Sequence, residues 1–451
     1  MHPLDPGSQG KSSSPHGTQA TRILIGLIVG GLGGLLLFFV SRSWPDTAPT
    51  LRWVAREVLD PFGQLFLRLL TLVVVPLVFA SLAYGVAQLG DLRRLGPLAT
   101  RTLALFLLNM AIGVGLGLIM MNLLQPGFAI DDATRDRLLA AVQSDSGAKA
   151  DPIVLGDSLS LRKLVDLFLP RNLLQAVVGF QLLPLIVFGL LVGAAITGLT
   201  LERKTAWEAG LQSVVDLMAR IVGWAMKLAP WAVAALVAAV VSQAGLELLS
   251  ALLVFVLGVL LVMGIHLVGT LPLLLKLLSR RSPLAFMRAV WVVLATAFST
   301  SSSSATLPTS LQVSREVLGV SPATAGFVLP LGATLNMSGT ALYEGCVVLF
   351  VAQVYGFELS LGQQMQLLLL AVLSAIAVAG VPGASLPVLI GLLANFGLPP
   401  EGVGLILGFD RLLDMARTTV NVAADMVTAC IIDDQLPPTS REIIEGGRRV
   451  G

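Results

Sequence analysis

Long apolar runs alternate with short polar or basic breaks along almost the whole chain. Ile23 to Val40 contains no charge and follows Lys11 and Arg22, so it reads as a first membrane helix with its N-terminus inside. A signal peptide is the alternative, but SRSWPDT behind the run offers no small-x-small cleavage site. Gly26, Gly30 and Gly34 would let another helix approach that one closely. Pro61 to Leu89, Leu98 to Leu124, Leu173 to Leu199, Ala206 to Ser242 and Leu246 to Leu278 read as further spanning helices. Residues 1–20, rich in Ser, Gly and Pro, read as a disordered cytoplasmic N-terminus. Basic loops at 93–101, 203–204 and 276–288 belong on the cytoplasmic side, which puts the Asp-rich excursion 128–171 outside.

From Ala285 onward the pattern changes. Two apolar segments are broken at their middles: Ala289–Val317 by FSTSSSSATLP (Phe298 to Pro308), and Met365–Phe396 by AGVPGAS (Ala379 to Ser385). A broken backbone cannot lie bare in hydrocarbon, because each free N–H or C=O costs several kcal/mol there. Each segment therefore reads as a re-entrant hairpin with a buried tip. Between them runs a helix from about Pro322 to Val354 containing LGATLNMSGTALYE. Its Gly332, Asn336, Ser338, Gly339 and Thr340 predict local unwinding, which frees carbonyls for a cation. Paired interrupted segments point to a transporter binding site, a rule drawn in part from carriers of the family named below.

The last long helix, Leu405 to Asp433, is apolar on most faces. Asp410, Asp414, Arg417, Thr418, Asn421 and Asp425 fall on one stripe roughly 100° wide at the helical period. An ionisable group at the bilayer centre costs on the order of 3 kcal/mol, so this face must meet protein, water or ligand. Acids with one arginine on such a stripe look like a site for a zwitterion and cations. A charge-paired helix packed inside a bundle, with Asp414 and Arg417 neutralising each other, is the plainer reading.

Composition fits this picture. Apolar residues make up 55% of the 451 and charged residues only 12%, about half the share usual in soluble domains. The net charge of +2, with no basic run or aromatic platform, gives no sign of nucleic-acid binding. Cys346 and Cys430 form neither a disulfide framework nor a metal motif, and His266 reads as a packed core histidine.

Four motifs in order, STSSSSATLP (Ser299 to Pro308), LGATLNMSGTALYE (Leu331 to Glu344), AGVPGAS and DRLLDMARTTVNVAADMVTA, resemble the dicarboxylate/amino acid:cation symporters, the glutamate transporter family. RLLTLVVVPLVFASL (Arg68 to Leu82) extends the resemblance to nearly the whole chain after residue 20. It implies an all-α polytopic inner-membrane protein with eight transmembrane helices and two re-entrant hairpins in an inverted-repeat fold, both termini cytoplasmic. A six-helix part over 21–283 would supply the scaffold and trimer interface from helices one, two, four and five. The transport core would occupy 284–434 and a cytoplasmic tail 435–451.

The function so implied is secondary active symport of glutamate or aspartate with Na⁺ and/or H⁺, with no other cofactor, in a homotrimer; C4-dicarboxylate symport is the alternative. Asp414 would hold the substrate's ammonium and Arg417 its side-chain carboxylate. Ser302, Ser303, Ser304, Thr340, Val381, Gly383, Thr418 and Asn421 would complete the cradle. Gly332, Thr334, Asn336, Asn421 and Asp425 would hold sodium, and Glu344 matches a proton carrier. The chain departs from the family's NMDGT by reading NMSGT, and Phe106, Asn109 and Met110 stand where a third sodium site takes its other ligands. No arginine stands at Ser301 or Met415, where relatives carry one. An intramembrane protease finds neither a GxSxG nor a GxGD motif, so the chain reads as no enzyme. A channel or a non-transporting membrane scaffold are the other rivals.

Overall fold

The computed structural model describes residues 15–88, 92–131, 134–136, 172–178, 182–378, 380 and 383–435. The first 14 residues, most of the 128–171 excursion, Val381 and the tail beyond 435 lie outside them, with the expectations made for those stretches. Among the described residues every regular element is a helix.

Helix α1 (Pro15–Ser43) begins earlier than Ile23, inside the stretch expected to be disordered. Pro15 stands at the helix start, where a missing N–H costs nothing. α2 (Ala48–Val54) leads through a π-turn into α3 (Asp60–Ala87), and α4 is Leu92–Leu124. The expected fourth helix is present as α5 (Leu173–Val178) and α6 (Leu182–Thr197).

The expected fifth and sixth helices are one helical run, α7 (Leu201–Ile265), continued by a π-turn at His266–Thr270 into α8 (Leu271–Leu278). The break expected before Leu246 does not occur. That junction contains no proline to interrupt the i→i−4 ladder, and Ser242 Oγ donates back to the Ala239 carbonyl at 2.7 Å. α1 and α3 both pack along α7. The glycine stripe of α1 makes this possible: a Cβ on Gly26 would overlap the Pro230 carbonyl, and one on Gly30 would lie 2.5 Å from that of Ala234.

The second half holds the broken elements. α9 (Pro283–Thr300) ends at Ser301 in the left-handed region (φ 50°), and α10 (Ser303–Glu316) starts at once, with Ser302 accepting from Ala305 N at 3.1 Å as its cap. α11 (Pro322–Leu335) is interrupted at Asn336–Met337 before α12 (Ser338–Val354), as the small and polar residues predict. α13 (Leu361–Ile376) opens on a Ser360/Gln363 capping box, and α14 (Ser385–Asn395) follows a turn at Gly383, φ 78°. α15 (Val403–Gln435) packs against α7, α9, α11 and α12.

Seven helical stretches among the described residues are long and apolar enough to cross a bilayer. The set differs from the eight expected: α9 qualifies by length and composition, the expected fourth helix is described only as the separate stretches α5 and α6, and α15 is not among the seven.

Candidate functional site

The four interrupted or polar elements converge on one small, partly open cavity. Its wall is formed by Ser301 and Ser303 from the α9–α10 turn, Met337 and Thr340 from the helix break, and Val378, Gly380 and Ser385 around the α13–α14 turn. Asp414, Arg417, Thr418 and Asn421 of α15 close it. The stripe read from the sequence therefore faces protein and a cavity, as its charges require.

Arg417 is 2% exposed and lies in a ring of partners. Its Nη2 is 2.9 Å and its Nε 3.0 Å from Asp414 Oδ1, and its Nη1 is 3.3 Å from Asp410 Oδ1. Tyr343 of α12 stacks beneath it, 4.7 Å from Cζ to the ring centroid, and donates its hydroxyl to Asp410 Oδ1 at 3.0 Å. Arg411 Nη1 stands 3.4 Å from the other oxygen of Asp414. Asp414 and Arg417 do neutralise each other, as the plainer reading of α15 holds, yet both also line the cavity.

Asn421 acts as a clamp on the start of α12. Its Oδ1 accepts from Gly339 N at 2.7 Å and Thr340 N at 3.2 Å, and its Nδ2 donates to Thr340 Oγ1 at 3.2 Å. The two helices touch backbone to backbone here: a Cβ on Gly339 would overlap the Arg417 carbonyl oxygen and stand 2.9 Å from Arg417 Cα.

A second polar group lies further along α15. Asn336 Nδ2 donates to Asp425 Oδ1 at 2.9 Å, and Gly332 leaves room for the Asp425 carboxylate. Asn336 Oδ1 is buried without a hydrogen-bond partner. An unpaired buried acceptor costs about 1–3 kcal/mol, so oxygens held this way fit a hard cation, which takes oxygen ligands. Thr334, on the same helix, donates its Oγ1 to the Leu331 carbonyl at 2.9 Å.

Other expected site residues take different places. Ser302 is spent on the α10 cap and on a 2.7 Å bond to the Gly380 carbonyl, which links the two turns. The Ser304 amide reaches the same carbonyl at 3.4 Å, and its side chain is exposed. Gly383 sets the turn and backs onto Met226 of α7 instead of the cavity. Glu344 is buried; its Oε2 accepts from Ser374 Oγ at 2.6 Å, and its Oε1 has no partner.

Tyr343 and Arg411, and the lining residues Ser301, Met337, Val378, Gly380 and Ser385, are not among those the sequence pattern predicts, and Asp410 is marked there only by its place on the stripe. Asp410 was findable from its i−7 spacing to Arg417, whereas Tyr343 joins only because α12 crosses α15. His266, expected to be plain core, bonds Ser338 Oγ through Nε2 at 2.9 Å. Ser338 Oγ also donates to the Asn109 carbonyl at 3.1 Å, between the buried Phe106 and Met110.

A profile of the sodium:dicarboxylate symporter family matches residues 20–435. The chain belongs to that family. Membership makes it a secondary transporter and not an enzyme, and its apolar helices make it a multi-pass membrane protein. The family's relatives of this chain include the proton/sodium-glutamate symport protein of Bacillus caldotenax, 32% identical over 416 residues, covering 92% of this chain and 93% of that one. The proton/glutamate-aspartate symporter of Escherichia coli (strain K12) is 30% identical over 423 residues, 92% of each chain. Excitatory amino acid transporter 4 of Mus musculus is 29% identical over 435 residues, 82% of this chain and 76% of that one.

Proposed function

We propose that this chain couples uptake of glutamate or aspartate to a gradient of Na⁺, H⁺ or both. One observation carries the reading: Asp414 and Arg417 stand side by side on the cavity wall, each buried. An ammonium group and a second carboxylate on one small molecule suit that pair. Guanidinium presents a fork matched to carboxylate geometry. The names borne by the Bacillus caldotenax and Escherichia coli relatives support the same substrate class.

Binding then works by exchange of partners. Arg417 releases Asp410 and Asp414 and takes the substrate's side-chain carboxylate. Asp410 keeps the Tyr343 hydroxyl, and Asp414 turns to the substrate's ammonium. Ser303, Thr340 and Thr418 offer hydroxyls for the α-carboxylate, and Asn421 keeps the start of α12 in place. Gly332, Asn336 and Asp425 take a sodium ion as co-substrate, and Glu344 carries the proton. A C4-dicarboxylate lacks the ammonium, so Asp414 would repel it.

In the bilayer, this reading takes the α9–α10 and α13–α14 pairs as re-entrant hairpins beside eight spanning helices, both termini cytoplasmic, in the inner membrane. α1, α3, α5 with α6 and the first part of α7 form a trimeric scaffold, and residues 284–434 move as the transport core by alternating access. Uptake into liposomes under separately imposed sodium, proton and potassium gradients tests it. L-glutamate or L-aspartate should accumulate down a sodium or proton gradient. Accumulation of succinate or malate with neither amino acid transported would overturn the assignment.

A further inference from the structure

Arg411 is the one charged residue of this cluster to which the proposed exchange gives no part. It is 6% exposed and, among the described residues, its one polar partner is Asp414 Oδ2, at 3.4 Å. Its Nε is buried with no partner. A buried guanidinium is rarely left with so little, because its five N–H donors are costly to strip of water. Hydrogen bonding does not account for it; its charge does.

The side from which it acts is also distinctive. On α15, Gly404 and Gly408 face α7 and α1: a Cβ on Gly404 would lie 3.5 Å from Leu236 Cδ1, and one on Gly408 would overlap Leu27. Arg411 follows them at i+7 and i+3, on the same helix face. Asp414 and Arg417 line the cavity, and Arg411 does not. It therefore approaches the Asp414 carboxylate from behind, on the oxygen that Arg417 leaves alone.

The charges of Asp410, Arg411, Asp414 and Arg417 cancel. The proposed substrate, an amino acid with an acidic side chain, adds one net negative charge. Without Arg411 the cluster would itself carry one, in a low-dielectric interior where like charges repel strongly. We propose that Arg411 is a specificity-determining positioning residue: through Asp414 it supplies the charge that lets the site accept a net-anionic amino acid, without touching it. The proposal rests on the reading of the cavity as an acidic amino acid site.

The test compares L-aspartate with L-asparagine, near-isosteres that differ by one charge. Wild type, Arg411→Gln and Arg411→Lys are reconstituted, with melting in detergent as the check on folding. KM for L-aspartate uptake and the inhibition constant of L-asparagine are measured for each. Arg411→Gln should raise the aspartate KM roughly tenfold with asparagine inhibition little changed, a coupling of ordinary size between neighbouring groups. Arg411→Lys should restore the preference. A purely structural role would move both ligands together and would not be rescued by Lys. An aspartate KM within threefold of wild type in Arg411→Gln, an equal fall for both ligands, or a Lys variant that loses the preference overturns the proposal. Should Arg411→Gln fail to fold, Arg411→Lys alone decides it by keeping or losing the preference. If wild type takes up no acidic amino acid, the reading of the cavity fails first.

Discussion

Arg417 carries more of the site than any other side chain. It is fully enclosed, stacked on Tyr343 and ion-paired to Asp410 and Asp414 at once. Removing the charged partner of a desolvated carboxylate costs about 2–5 kcal/mol or more. Arg417→Thr should therefore abolish glutamate and aspartate binding, while a neutral amino acid such as serine still competes. Inhibition of labelled-aspartate uptake measures this, and binding of aspartate within a few-fold of wild type would contradict it. Asp425 meets Asn336 and Gly332 away from the cavity wall. Asp425→Asn should thus flatten the cation dependence of uptake first, with substrate affinity falling only through linkage. Unchanged dependence on both sodium and pH in that variant would remove Asp425 from the cation site.

Among the elements, the decisive contact is the one between α12 and α15. Gly339 lies against the Arg417 carbonyl, and Asn421 holds the amides of Gly339 and Thr340. A methyl group at Gly339 would push against the Arg417 backbone and Val420 Cβ, neither of which is the free end of a flexible side chain, and overpacking of this kind costs typically about 1–3 kcal/mol. Gly339→Ala should shift α12 along α15, raising the KM for aspartate while the maximal rate falls less. Uptake kinetics at several sodium concentrations check this, and an unchanged KM would show that the junction yields without cost. Elements of this half were largely legible, because a bilayer tolerates polar residues inside an apolar run only where protein, water or ligand meets them. The continuity of α7 was not. A polar interval without proline permits a helix or a turn equally, and packing along α1 and α3 decides.

For the whole molecule the energy source follows from which oxygens are left for sodium. Ser338 stands where the family's motif has an aspartate, and its hydroxyl is engaged by His266 and the Asn109 carbonyl. Phe106 and Met110, which flank Asn109 in the sequence of α4, are buried and offer no side-chain oxygen. The transport cycle should therefore move fewer sodium ions per substrate than three, with a proton contributing through Glu344. Reversal potentials in liposomes at a fixed substrate gradient count the ions, and Glu344→Gln should remove the response to a pH gradient. Three sodium ions per substrate with no effect of pH would refute this coupling.

Hydropathy, the broken segments and the charged stripe by themselves determined that the chain is a helical membrane protein whose broken elements and buried charges lie in the last 150 or so residues. These follow from local rules: apolar length, helical period, and the cost of bare polar groups in hydrocarbon. The stripe marked Asp414, Arg417, Asn421 and Asp425 together; the fold puts the first three on the cavity wall and pairs Asp425 with Asn336. Only the fold decided that Ser302 is a cap and a link between turns, that Thr334 turns back on its own helix, and that Gly383 faces α7. It also brought Tyr343 and His266 to partners 67 and 72 residues away. Such pairings depend on how helices cross, and a crossing is fixed by side-chain packing over the whole interface, which no single stretch of sequence contains.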